Sequence, residues 1–163
     1  MALSNRYKSA PAAGTLAAFL LVLIFGSPWY RDWVTEDTDP DTAGGWFLRR
    51  LAWPAWSFNS EDSLQDIIVD DLRAILVVLL TALFLYMLVG TQLARARGTL
   101  SQLFAGWAAY IFAGAFAALL TALFRSNPSL LGALQAADAG ATYGLYTGWI
   151  IGLAALGGRR GPR

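Results

Sequence analysis

Neither cysteine nor histidine occurs anywhere in the 163 residues. Their absence excludes disulfides, thiol nucleophiles, imidazole general bases, histidine-ligated haem and almost every zinc site. No phosphate-binding loop, nucleophile–base pair or metal cluster is spelled out in the remaining residues. The chain is therefore read as a non-enzyme with no cofactor and no metal. Charge is scarce too: Asp, Glu, Lys and Arg make up 14% of the sequence, with a formal net charge of +1. These charges are segregated along the chain, so their positions carry more than their balance. No nucleic-acid partner is expected.

What the chain has instead is apolar. Hydrophobic residues account for 56% of it, the mean hydropathy is positive, and the excess sits in long blocks, which points to a lipid bilayer. Arginine outweighs lysine and alanine is abundant, a composition typical of GC-rich bacterial genomes; the expected location is a bacterial inner membrane.

The blocks give an all-α, four-transmembrane-helix bundle in one membrane domain, with spans at approximately 11–28, 73–94, 103–124 and 134–157. The first resembles a signal-peptide core behind Arg6 and Lys8. Gly26, Ser27 and Pro28 follow Ile24 and Phe25 where a cleavage site would need small residues, so an uncleaved anchor is expected. Arg6 and Lys8, then Arg95 and Arg97, then Arg159, Arg160 and Arg163 fall on one side of such a bundle. By the positive-inside rule that side is the cytoplasm, and both termini lie there.

The segment 29–72 is then an extracytoplasmic loop, acidic and rich in tryptophan. Its central run, Trp46-Phe47-Leu48-Arg49-Arg50-Leu51-Ala52-Trp53-Pro54-Ala55-Trp56, suits either the headgroup boundary or packing on the bundle top. Asp37-Thr38-Asp39-Pro40-Asp41 begins like a calcium loop, but Thr42 and Leu48 stand where the glycine and the bidentate glutamate should be. A solvated loop is the better reading. Ser60, Glu61 and Asp62 read as the start of a helix of about 30 residues that runs on into the second span.

Small residues recur at every fourth position in the last block: Gly132, Ala136, Gly140, Gly144, Gly148 and Gly152. In a water-soluble helix each glycine costs about 0.8–1.0 kcal/mol relative to alanine. In lipid, the same row lets backbones approach closely. The opposite face carries Gln135, Asp138, Thr142, Tyr146, Trp149 and Leu153, so the helix is expected to be protein-facing on two sides. One arrangement points the polar face into the bundle and leaves the glycine row to a second copy or another membrane subunit. The other packs the glycines on the third helix, whose alanine rows match them. A fourfold repeat drifts by about 40° per step, which argues against a single partner for the whole row.

Asp138 is the one carboxylate in the last three blocks. It is expected to be a helix cap or the partner of Arg73 or Arg125, with an ion or proton pathway through Asp138, Thr142 and Tyr146 as the alternative. Tyr86, Tyr110, Tyr143 and Tyr146, beside Trp107 and Trp149, offer a further candidate pocket for a lipid or quinone-like ligand. The functional expectation is a non-catalytic accessory, assembly or anchoring subunit. A small oligomeric channel or ion-coupled transporter using Asp138 is the alternative.

Overall fold

The computed structural model describes residues 2–57, 63–88, 99–125 and 127–158, with side chains from residue 10 onward. Within them the chain is all-helical, with six helices: α1 (Ala2–Phe25), α2 (Pro28–Asp37), α3 (Ala43–Leu51), α4 (Leu64–Leu85), α5 (Thr99–Ala122) and α6 (Leu130–Gly157). The proposed helix start at Ser60 and the arginine pairs Arg95/Arg97 and Arg159/Arg160 lie outside the described residues, as does Arg163.

Local chemistry sets most of the boundaries. Ser63 caps α4 by accepting from the Asp66 amide at 3.2 Å, while its own hydroxyl donates to the Asp66 carboxylate at 2.6 Å. The two groups satisfy one another as a capping pair does. Ser129 caps α6 on the Gly132 amide at 3.0 Å, directly after Pro128. The last helix thus begins earlier than the expected 134.

The segment expected as a loop holds two helices. Ser27 caps α2, with Pro28 at its first position, and Thr42 caps α3 through the Gly45 amide at 3.1 Å. These are ordinary start signals, a capping hydroxyl before a proline or before small residues, and both were legible in the sequence. Arg49 ties the two helices together, donating to the carbonyls of Thr35 at 2.9 Å and Thr38 at 2.7 Å. A guanidinium there also meets the negative end of the α2 dipole. Asp39 spends its carboxylate on the Asp41 amide at 2.9 Å, and no group of three acidic residues able to hold a metal occurs among the described residues.

The long helices pack as α1, α4, α5 and α6, and α5 against α6 is the closest pair. Their contact is backbone on backbone. A Cβ added to Gly106 would lie 2.8 Å from Gly152 Cα, and one added to Gly144 would lie 2.6 Å from Ile111 Cα. One added to Gly152 would lie 2.5 Å from the Leu103 carbonyl oxygen, and Gly140 and Gly114 face each other with no room for either Cβ. α1 reaches α4 and α6 through its own glycine: a Cβ on Gly14 would meet Leu85 Cδ1 at 2.7 Å. Tyr110 and Tyr143 fill the centre, their hydroxyls 3.1 Å apart and both side chains fully buried.

Among the described residues one helix, Thr99–Ala122, is long and apolar enough to cross a membrane, and the pair Ala10–Phe25 and Pro28–Asp37, bent by 62°, makes a second candidate. This is fewer than the four expected spans. α4 carries Asp70, Asp71 and Arg73 in its first half, which leaves only its second half free of charged residues, and α6 trades aliphatic side chains for glycine, threonine and tyrosine. What those residues gain in close packing they lose in hydropathy.

Gln102 is buried at the start of α5, and its Nε2 has no hydrogen-bond partner among the described residues. Replacing it with leucine removes an unsatisfied donor. The expected result is a gain of about 1 kcal/mol, read as a higher unfolding midpoint in mild detergent; a lower one would mean that the amide has a partner.

Candidate functional site

The last helix is oriented the opposite way round from the arrangement that points its polar face inward. Gly140, Gly144, Gly148 and Gly152 all look at α5, where they meet Gly114, Ile111, Trp107 and Leu103 in turn. The drift of the row, roughly 120° over these four positions, does not take it off α5. With no side chains between the backbones the two helices sit so close that the contact spans a wide arc of each. At the row's first two positions, Gly132, whose added Cβ would meet only the Ser129 hydroxyl, and Ala136 line a cavity.

The polar face is on the outside. Asp138, Tyr146 and Trp149 are exposed and Thr142 is half-buried. Because Ser129 starts the helix, Asp138 lies more than two turns inside it and is not a cap. It also pairs with neither arginine. Arg73 binds Asp70 at 3.0 Å instead, since Asp138 is displaced by roughly 110° around α6 from the face that looks toward Arg73 and Arg125.

The aromatic residues do not converge on one pocket. Tyr110 and Tyr143 satisfy each other in the core, Trp53 lies on Tyr143 with ring centroids 4.6 Å apart, and Trp46 meets Tyr146 edge-on at 4.9 Å. Trp107 donates to the Leu145 carbonyl at 2.9 Å, and Trp149 to that of Tyr146 at 2.9 Å. Tyr86 is exposed on α4. These contacts join α6 to α5 and to the α3 side of the fold.

The site that sequence reasoning missed is a cavity of about 500 Å³ where α4, the end of α5 and the start of α6 come together. Its walls are Trp53, Arg73, Arg125, Asn127, Ser129, Gly132 and Gln135, over a floor of Ala118, Ala122, Ala136 and Ala139. Arg73 is held in place: its Nε donates to Thr121 Oγ1 at 3.3 Å, one amino group binds Asp70, and only 13% of its side chain is exposed. Arg125 is exposed just past α5, has no ion-pair partner among the described residues, and is near enough to repel Arg73 electrostatically. Both arginines were read from the sequence as partners for Asp138. Their shared position by α4 and α5 was a better signal than that pairing.

Comparison with family models, with curated proteins and with solved structures finds no match to this chain. The reading of function therefore rests on the residues and their geometry.

Proposed function

We propose that the chain is a non-catalytic, multi-pass membrane component, an accessory, assembly or anchoring subunit, with four spans and both termini in the cytoplasm. The observation that carries this reading is the outward surface of the long helices. Leu16, Leu20 and Leu23 on α1, Ile75, Leu79 and Leu83 on α4, and Phe112, Phe116 and Leu120 on α5 are all exposed, each set at helical spacing on one side of its helix. Water-soluble monomers rarely leave apolar patches of that extent uncovered. Lipid covers them at no cost.

The α5–α6 seam supports the same environment, since small residues at a helix interface compensate for the missing hydrophobic drive between helices in lipid. At 24 residues, α5 has a length of roughly 36 Å, enough for a hydrocarbon core of about 30 Å. The α2–α3 pair, with its acids and tryptophans, then belongs to the extracytoplasmic half and packs on the side of α6 through Trp46 and Tyr146.

The face offered to a partner is the polar side of α6. A charged aspartate facing acyl chains costs about 2.5–3.5 kcal/mol, so Asp138, Thr142, Tyr146 and Trp149 are better covered by protein or met by water. A channel through one chain draws no support from Asp138, which sits outside the bundle. Because the chain has no native cysteine, single-cysteine labelling reads topology cleanly. Gly44→Cys should react with an impermeant maleimide from outside intact cells and Arg97→Cys only after lysis. Purification in mild detergent should yield a discrete partner or a homo-oligomer that Trp149→Ala weakens. A monomer in both detergent and lipid discs would overturn the subunit reading, and flux in proteoliposomes that vanishes on Asp138→Asn would replace it with the transporter.

A further inference from the structure

We propose that the cavity between Arg73 and Arg125 is a binding site for a phosphate-bearing anion, the headgroup of an acidic phospholipid or a soluble phosphate compound. Two guanidinium groups, one on α4 and one just past the end of α5, line one cavity, and no carboxylate is among its lining residues. Asp70 offsets part of the charge of Arg73 from outside the wall. Arg125 has no such offset, so the site as a whole is cationic and its two cations repel each other. An anion seated between them relieves that repulsion and gains charge-assisted hydrogen bonds from forks that match phosphate geometry.

The remaining walls fit the same ligand. Ser129, Asn127 and Gln135 bring hydroxyl and amide groups to the rim, and the α6 N-terminus adds the positive end of a helix dipole. The alanine floor and the Trp53 ring provide the apolar surface that a glycerol ester or another organic substituent would cover. A volume of about 500 Å³ is that of a small-ligand pocket and far exceeds what a lone ion needs.

The anion site does not depend on the membrane reading. Only the lipid as its source does, because under that reading the cavity lies at the extracytoplasmic end of α5, near the headgroups. Arg73 is tied into the packing, so the clean variant is Arg125→Ala, an exposed residue whose loss should leave the fold intact.

The test uses the full chain in a maltoside detergent, with three probes added separately: phosphatidylglycerol, phosphatidylcholine and inorganic phosphate. Bound species are counted by native mass spectrometry, and the unfolding midpoint is followed in parallel. The expected result is retention of phosphatidylglycerol over phosphatidylcholine, a raised midpoint, and a loss of affinity of about tenfold or more in Arg125→Ala, with Arg125→Lys in between. Inorganic phosphate binding as tightly as the lipid, with the same loss in Arg125→Ala, supports the site and assigns a soluble source. Equal binding of all probes to wild type and Arg125→Ala overturns it. Failure of the membrane reading shows separately, as a chain that binds phosphate yet does not partition into liposomes.

Discussion

Gly144→Ala should destabilise the protein by about 3 kcal/mol, at the upper end of what overpacking costs, although alanine is by itself the better helix former by about 1 kcal/mol. The added methyl would sit 2.6 Å from Ile111 Cα and 3.0 Å from the Tyr110 carbonyl oxygen. Both are backbone atoms of α5, and no rotamer change can move them aside. Gly140→Ala and Gly152→Ala should behave alike, since their nearest atoms, the carbonyl oxygens of Gly114 and Leu103, are backbone as well. Gly148→Ala should cost less: its closest neighbour is the Trp107 ring at 2.7 Å, and a ring can turn. It would turn at the expense of the bond from Trp107 to the Leu145 carbonyl. Gly157, with nothing within 4 Å of an added Cβ, is the control. Unfolding midpoints in mild detergent check the order, and a flat response across the five positions would rule out the seam.

Tyr143→Ala is the second large effect. This side chain is fully buried, bonds Tyr110 through its hydroxyl, and carries the Trp53 ring on its face. Truncating a buried aromatic residue costs about 3–5 kcal/mol, and here the Tyr110 hydroxyl is left without its partner as well. Tyr143→Phe separates the two contributions. It keeps the ring contacts and loses only the hydroxyl, so a penalty of about 1–3 kcal/mol is expected. Because Trp53 lies between α3 and α4, the alanine variant should also loosen the α2–α3 pair, seen as faster amide exchange in α2 and α3 than in the phenylalanine variant. Equal exchange in the two would mean that the pair is held from elsewhere. Other ties include the contact of Trp46 with Tyr146 and the bonds from the Trp56 ring to the Val22 carbonyl at 3.1 Å and from the Trp56 amide to the Gly26 carbonyl at 2.9 Å.

The sequence by itself determined that the chain is helical, where its apolar helices run, and that the last of them has one bare face and one polar face. Apolar runs, helical spacing and the fourfold row of small residues are local properties, and local properties survive into any tertiary arrangement. The capping serines and threonine were equally local, and reading Ser27-Pro28 and Thr42 as helix starts would have found α2 and α3. Which face of α6 turns inward was decided only in three dimensions. Periodicity defines a face but not its partner, and glycine against Gly114 and Ile111 wins because nothing else lets the two backbones touch. The cavity was hidden for the same reason. Arg73 and Arg125 are far apart in the chain and become neighbours only when α4 lies along α5, through contacts such as Arg73 to Thr121. Of the two arrangements open to the row of small residues, the one against the third long helix is the one present from Gly140 to Gly152, and the arginines read as partners for Asp138 face a cavity of their own.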